Sequence, residues 1–347
     1  MNSQHIFFDT VKLDALGPSL INDTTDFLDI YIDDATPSTD CALVGKNFEW
    51  KPLLWMYHER QRLNKLGKMR IITCQGVLTD KIKNEIHKAV SIPVEFIGLL
   101  LGGPQKKDII FDEAKMIGEQ KYEILRSKNT YYSVGTMRLP RFVITAWLQQ
   151  HKQRVGRPSL HPNHLQMFRH QISRTTDYNT KDYDNSELRL YGNVSQIEFR
   201  QKQIVDLLSH RIGIVSSQPW YDVMESFVDE KFTDLVACRC VPFFVGNGDE
   251  NKHIAKLGFK SYIGFDYSGL SKTNHVERWL TLLNDNKEFL LEEEHSNKIY
   301  EMNKDIIEYN YKSLLTTNWY DKANTEFENI SSSMRQTISK RMSYNLK

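Results

Sequence analysis

The chain has 347 residues, of which 40% are hydrophobic, 26% charged and 11% aromatic, with a formal net charge of +1. That is enough chain for two domains of ordinary size or one large one, and the composition is that of a folded protein rather than a disordered one. The longest apolar stretch, Ile97-Gly-Leu-Leu-Leu101, falls far short of the roughly 18–20 residues a membrane span needs, and four cysteines (Cys41, Cys74, Cys238, Cys240) in so long a chain make no disulfide framework.

The N-terminal third alternates short, β-branched runs with helically spaced ones. Strands are predicted at Ile6–Phe8, Phe27–Ile32, Cys41–Val44, Met69–Thr73 and Val94–Gly98, and helices at Leu53–Leu66 and Lys81–Val90. Such alternation predicts an open parallel sheet covered by helices. A polar stretch from Lys106 to Lys128 reads as a linker. Beyond it a strand is predicted at Tyr131–Val134 and a helix at Phe142–His151, followed by a polar, loop-rich stretch without period, roughly 156–187. A helix through Ile204–Leu208, a strand at Ile212–Val215, a helix at Phe232–Cys238 and a strand at Val241–Val245 restore the alternation. Long helices over Glu277–Leu291 and Lys298–Leu315 close the pattern. The expected organisation is an α/β N-terminal domain over 1–125, an α/β C-terminal domain over 126–315 and a helical tail over 316–347. The N-terminus has no basic leader and carries acids early, so a cytoplasmic protein with free thiols is expected.

Charge is unevenly placed. Between Glu123 and Asp177 lie 53 residues without an acid but with nine bases: Arg126, Lys128, Arg138, Arg141, Lys152, Arg154, Arg157, Arg169 and Arg174. This asymmetry suits a polyanionic partner, either nucleotide phosphates or a nucleic-acid backbone. It also describes a solvated basic face balanced by acidic neighbours in the fold.

The run Phe227-Val-Asp-Glu-Lys-Phe-Thr-Asp-Leu-Val-Ala-Cys-Arg-Cys-Val-Pro-Phe-Phe-Val-Gly246 reads as a charged loop opening a helix, then a buried strand that ends in a glycine loop. Ligands of open parallel sheets bind beyond the carboxyl ends of the strands, where helix N-termini offer free N–H groups to phosphates. Glu230 beside Lys231 supplies a carboxylate for a ribose diol and a cation for a diphosphate. Taken alone, the pair also describes an ordinary surface ion pair at a helix start.

The same run resembles the donor-binding signature of fucosyltransferase-like glycosyltransferases. It resembles more closely a group of phage and bacterial proteins with an S-E-T…EK-t-F…PF…G…LGFK-t-F pattern. Val215-Ser-Ser217, Glu230-Lys-Phe232, Pro242-Phe243, Gly246 and Leu257-Gly-Phe-Lys260 fall in register with that pattern, and Arg138-Leu-Pro-Arg141 stands where those proteins carry an Arg-rich strand-to-helix element. The likeness spans roughly residues 130–315. The usual Tyr of the signature is Phe227 here, the Thr before Glu-Lys is Asp229, and the acid after the serine pair is replaced by Gln218.

The resemblance implies a GT-B architecture of two facing Rossmann-like domains, with a nucleotide-sugar held by the C-terminal one, and an inverting transfer without an obligatory metal or other cofactor. It puts Lys231 on the leaving diphosphate, with Arg138, Arg141 and Arg200 as partners, Glu230 on the donor ribose, and Phe227 and Gly246 in the donor site. An inverting displacement needs a carboxylate base. Glu59, in Trp55-Met-Tyr-His-Glu-Arg60 near a helix start, is the candidate; it equally describes a helix carboxylate paired with Arg60 or Arg62.

The expected function is therefore transfer of a sugar from a nucleotide-sugar donor to a hydroxyl. Lack of an anchor or a basic amphipathic helix speaks against a membrane acceptor. The acid-free segment and the phage flavour of the likeness favour a hydroxymethylated pyrimidine (hydroxymethylcytosine) in phage DNA, with Lys152, Arg154, Arg157, Arg169 and Arg174 on double-stranded DNA and the host cytoplasm as location. The alternatives are a fucosyltransferase-like enzyme acting on a surface glycan or lipopolysaccharide precursor, and a non-catalytic nucleic-acid-binding protein. Asp182-Tyr-Asp184 has the spacing of metal-dependent sugar transferases but reads as a turn, so no metal is expected there.

Overall fold

Parallel pairing dominates the backbone. The computed structural model describes residues 3–8, 21, 25–32, 51–73, 78–98, 126–135, 137–216, 230–246, 248 and 250–317. These fall into two units: one holds the described residues up to Gly98, the other those from Arg126 to Ser216 and from Glu230 to Thr317.

In the first unit, β1 (Ser3–Phe8), β2 (Phe27–Ile32), β3 (Lys68–Thr73) and β4 (Val94–Gly98) form a parallel sheet in the order of the chain. Leu28, Ile30, Ile32, Met69 and Ile71 are fully buried in its core. Asp29 is fully buried too, because its cross-strand partner Arg70 grips it with two hydrogen bonds, 2.7 and 2.8 Å. A buried carboxylate is tolerated only when paired in this way. The helix expected over 53–66 is present as α1 (Lys51–His58) and α2 (Arg60–Leu63), broken at Glu59. Helix α3 (Asp80–Ala89) turns Ile82, Ile86 and Ala89 inward and is capped by Thr79. The strand expected at 41–44 lies outside the described residues.

In the second unit, β5 (Lys128–Tyr131), β6 (His210–Val215) and β7 (Val241–Phe244) are parallel, with β6 in the middle. Six of six residues of β6 and four of four of β7 are buried, as a sheet covered on both faces requires. Its helices are α4 (Leu139–Gln150), α5 (Pro162–Ser173), α6 (Gln196–Ser209), α7 (Glu230–Ala237), α8 (Glu250–Lys256), α9 (His275–Asp285), α10 (Lys287–Leu291), α11 (Glu293–Met302) and α12 (Lys304–Thr316). The α/β class with parallel sheets, expected from the alternation, is what the structure holds. Of the tail expected over 316–347, only Thr316 and Thr317 are described.

Three sequence expectations are corrected. Strand β5 lies three residues earlier than predicted and starts on the last residue of the stretch read as linker, because its polar side chains are used: Thr130 and Asn129 donate to the carbonyls of Leu290 and Leu291 at the end of α10, 2.6 and 2.8 Å. Helix α5 occupies part of the stretch read as loop. It starts at Pro162 and buries only Phe168 and Ile172, too few for a legible period. The two long closing helices are each broken, at Asn286 and at Asn303.

Those asparagines, with Asn310 of α12, are fully buried and do one job. Each accepts a backbone N–H and donates to the carbonyl of the same residue in the irregular segment 260–266. Asn310 holds Lys260 (2.7 and 2.8 Å), Asn303 holds Ile263 (2.9 and 2.9 Å) and Asn286 holds Asp266 (2.7 and 2.7 Å). A carboxamide carries one acceptor and one donor side, so it stands in for the strand neighbour this segment lacks.

Helix α7 packs on β6 and β7 and against α12. Its seat on β6 is Gly213, where an added Cβ would overlap the Leu235 side chain. Gly213→Val is expected to force α7 off the sheet and cost about 1–3 kcal/mol of stability, read as a lower denaturant midpoint with an unchanged slope. A midpoint equal to that of the unsubstituted protein would remove Leu235 from this contact.

Candidate functional site

The carboxyl ends of β5, β6 and β7 converge on one place. Directly after β5 stands Tyr132, directly after β6 Ser216, and two residues after β7 Gly246; all three are buried. The Tyr132 hydroxyl donates to Ser216 Oγ at 3.2 Å. Burial pushes the phenol up to about 12, against the opposing pull of Ser216 and of the positive charges of Arg141 and Lys231. Tyr132 is therefore a neutral hydrogen-bonding group throughout the ordinary pH range, within electrostatic reach of two cations.

Helix ends bring those cations there. Arg138 is the N-cap of α4 and Arg141 stands in its first turn, with Pro140 between them and no acid in that turn. Proline suits this position because a first-turn N–H has no intrahelical partner to lose. A helix N-terminus favours anions through its free N–H groups and the positive end of its dipole, and cationic side chains beside it add to that preference. Arg141 is buried and Arg138 half-buried. Lys231, half-buried, is the second residue of α7, so its ammonium also stands by a helix N-terminus.

The structure thus brings Arg141 and Lys231 together around Tyr132, with Arg138 on the same helix end and Gly246 beyond β7. Glu230 opens α7 and Arg200 belongs to α6, but their side chains, like the whole of Phe227, lie outside the described residues. Glu59, in the first unit, is half-buried and bonded to Arg62 at 3.1 Å. Tyr132 and Ser216 were missed as site residues. The available signal was an aromatic residue closing a strand six residues ahead of Arg138-Leu-Pro-Arg141.

The bases expected on DNA divide. Lys152, Arg154 and Arg174 are exposed and make no ion pair among the described residues. Arg157 is turned inward: only 6% exposed, it bonds the Asp184 carboxylate at 2.6 Å and the carbonyls of Val155 and Asp184. Arg169 donates to the carbonyls of Thr180 and Lys181, both at 3.1 Å. These two guanidiniums hold the 177–187 loop against its neighbours, and Arg157 takes up the second acid of Asp182-Tyr-Asp184. Among the described residues, no group of three or more His, Cys, Asp and Glu side chains is placed to hold a metal ion. No described helix is long and apolar enough to cross a membrane. Cys238 and Cys240, between the end of α7 and the start of β7, are buried free thiols.

Fold and site define an α/β protein of the open parallel-sheet class whose second unit gathers cations at the carboxyl ends of its strands. No family model matches the sequence, and no curated protein sequence matches it. Among solved structures, the chain is similar to T4 phage BGT in complex with its UDP-glucose substrate, at 11% identity, over 87% of this chain and 75% of that one, with a TM-score of 0.32. A likeness of that size carries neither fold nor substrate from one chain to the other.

Proposed function

We propose that this protein is a glycosyltransferase of GT-B type, moving a sugar from a nucleotide-sugar donor to the hydroxyl of a hydroxymethylated pyrimidine, hydroxymethylcytosine, in DNA. The observation that carries the reading is the pair of cations, Arg141 in the first turn of α4 and Lys231 in the first turn of α7, whose charges both reach the neutral Tyr132 hydroxyl at the carboxyl ends of a parallel sheet. A nucleotide diphosphate suits this place in an open α/β unit. The sequence register of Glu230-Lys-Phe232, Pro242-Phe243 and Leu257-Gly-Phe-Lys260 with sugar-transferase motifs supports the choice among diphosphate chemistries.

In this reading the acceptor oxygen attacks the anomeric carbon and forms the new glycosidic bond as the bond to the diphosphate oxygen breaks. The acceptor proton passes to a carboxylate, with Glu59 the proposed base. The leaving diphosphate carries away the electron pair, and its charge is stabilised by Lys231, Arg141 and the N-termini of α4 and α7. Cationic side chains and helix dipoles in this role make the transfer metal-independent. Glu230 and Phe227 keep the donor roles that the resemblance gives them. The exposed cations Lys152, Arg154 and Arg174 favour a polyanionic acceptor over a neutral glycan, and a protein acting on phage DNA works in the host cytoplasm.

The test incubates the protein with hydroxymethylcytosine-containing DNA and a panel of nucleotide sugars, then weighs the digested nucleosides while following nucleotide release. The expected result is a sugar-sized mass gain on hydroxymethylcytosine with stoichiometric nucleotide release. Release without modified DNA moves the acceptor to a glycan. No release with any donor, from protein that binds DNA, overturns the transferase reading in favour of a non-catalytic DNA-binding protein.

A further inference from the structure

A groove lies along β5, the edge strand of the second sheet. It has a volume of about 840 Å³, with the five consecutive residues Lys128–Tyr132 along it. One face of α6 lines it too, from Gln201 and Lys202 through Val205 and Asp206 to Ser209, as do Arg154 and Tyr191. The spacing of those α6 residues is that of a single helix face.

Its charge is one-sided. Lys128, Arg154 and Lys202 are cations, and Asp206 is the one carboxylate in the lining. That carboxylate is already engaged, by Lys128 at 2.7 Å and by the Tyr191 hydroxyl at 3.1 Å. His210 adds no charge at neutral pH, because burial holds its imidazole below the usual range. Lys202 acts on Glu198 one turn back on α6, while Arg154 is exposed and makes no ion pair among the described residues. The lining therefore sums to +2, and Lys152, two residues before Arg154, extends the positive track outside it.

We propose that this groove holds the phosphodiester backbone of a DNA duplex. The cations stand on three separate elements (β5, the segment after α4, and α6) along an open groove rather than around one point. That suits a line of phosphates better than one small anion. Asn129, Gln153 and Gln201 supply neutral hydrogen-bonding groups between the charges. The groove meets the candidate donor site at Tyr132, which belongs to its lining and whose hydroxyl feels the charges of Arg141 and Lys231. A backbone held there is delivered on the same unit that receives the sugar donor. The proposal rests on DNA as the acceptor and adds the surface that grips it.

The test uses the full chain and a short fluorescein-labelled DNA duplex, with binding followed by anisotropy over a series of salt concentrations. The groove variant is Arg154→Glu with Lys202→Glu. The control is Lys298→Glu with Lys312→Glu, two exposed lysines outside the groove that change net charge equally; melting temperatures confirm that both variants fold. The groove variant is expected to bind at least tenfold more weakly at low salt. Its dependence of log affinity on log salt should be shallower by about 2, since each lost phosphate contact removes about 0.9. The control should keep the slope of the unsubstituted protein. Equal weakening in both variants overturns the groove, because net charge alone then explains binding. No binding by the unsubstituted protein overturns the groove and the DNA acceptor together. Groove-dependent binding with neither a sugar mass gain nor nucleotide release in the nucleoside assay sinks the transferase reading and leaves the groove standing.

Discussion

Asn303→Leu is expected to lower the stability of the second unit by about 3–5 kcal/mol, the largest loss we foresee from a single side chain of similar size. Leucine fills much the same volume but leaves the N–H and carbonyl of Ile263 without their partner, along with the Nδ2 contact to the Ile299 carbonyl. Each backbone group stranded against this fully buried position costs about 1–3 kcal/mol. Since 1 kcal/mol moves the midpoint of a unit this size by about 2–4 °C, the melting temperature should fall by roughly 10 °C. A fall of less than about 2 °C would mean that water or a neighbouring side chain takes over the two bonds.

Asn303→Asp separates hydrogen bonding from shape. The carboxylate still accepts from Ile263 N–H but cannot donate to its carbonyl, and it is an unpaired charge in a fully buried position. Protonation restores the donor, so the folded-state pKa of this new group should be raised above its unfolded value of about 3.9. A raised value places the full stability near and below pH 4, with the deficit growing as pH rises from there. Measured against the unsubstituted protein at each pH, the deficit should therefore be smallest in acid and largest at neutrality. A deficit that does not change with pH would show that the segment had moved away from the carboxylate.

The asparagine ladder also shows why part of the fold was not legible in the sequence. Strands β2, β3, β4, β6 and β7 could be read to within two residues, because buried parallel strands are continuous apolar runs. Asn286 and Asn303 looked like ordinary polar positions in amphipathic helices, and nothing local to them says that they face a segment some 20–40 residues away in sequence. The start of strand β5 was hidden for the same reason: Lys128-Asn129-Thr130 is too polar to read as strand until the carbonyls of Leu290 and Leu291 are seen beside it. The candidate site divides likewise. Arg141 and Lys231 were legible because a motif at a helix start fixes where a side chain must stand. Arg157 and Arg169 were legible as charge but not as direction. Only their hydrogen bonds show that they hold a loop, and that leaves Lys152, Arg154 and Arg174 to carry the exposed charge. Ser216 lies within the Val215-Ser-Ser217 match, which marks no role for it, and Tyr132 carries no motif, since a tyrosine at a strand end is an ordinary core residue unless cations are found within reach of it.

Placement of Arg141 and Lys231 leads to the second large effect. Lys231→Gln and Arg141→Gln are each expected to weaken binding of inorganic pyrophosphate, a probe for the donor diphosphate, by about tenfold to a hundredfold. A hydrogen bond to a charged group contributes about 1.5–3 kcal/mol. The measurement is the pyrophosphate-dependent rise in melting temperature, which follows the logarithm of ligand concentration over the dissociation constant. Because both side chains act on one ligand, the double variant should lose less than the product of the single losses. Transfer should fall further than binding, by about a hundredfold to a thousandfold for either single change, since charge on the diphosphate oxygen grows in the transition state. Tyr132→Phe makes the complementary case. With the phenol held near 12, above its ordinary value of about 10, the group is neutral folded and unfolded below pH 10. Its contribution to stability is lost only as the medium becomes more alkaline than that. The loss on Tyr132→Phe should accordingly be flat between pH 6 and 9, in stability and in pyrophosphate affinity alike. If Lys231→Gln and Arg141→Gln leave the pyrophosphate shift intact, the cations at the carboxyl ends of β5, β6 and β7 serve the fold alone, and the donor must be sought elsewhere on the chain.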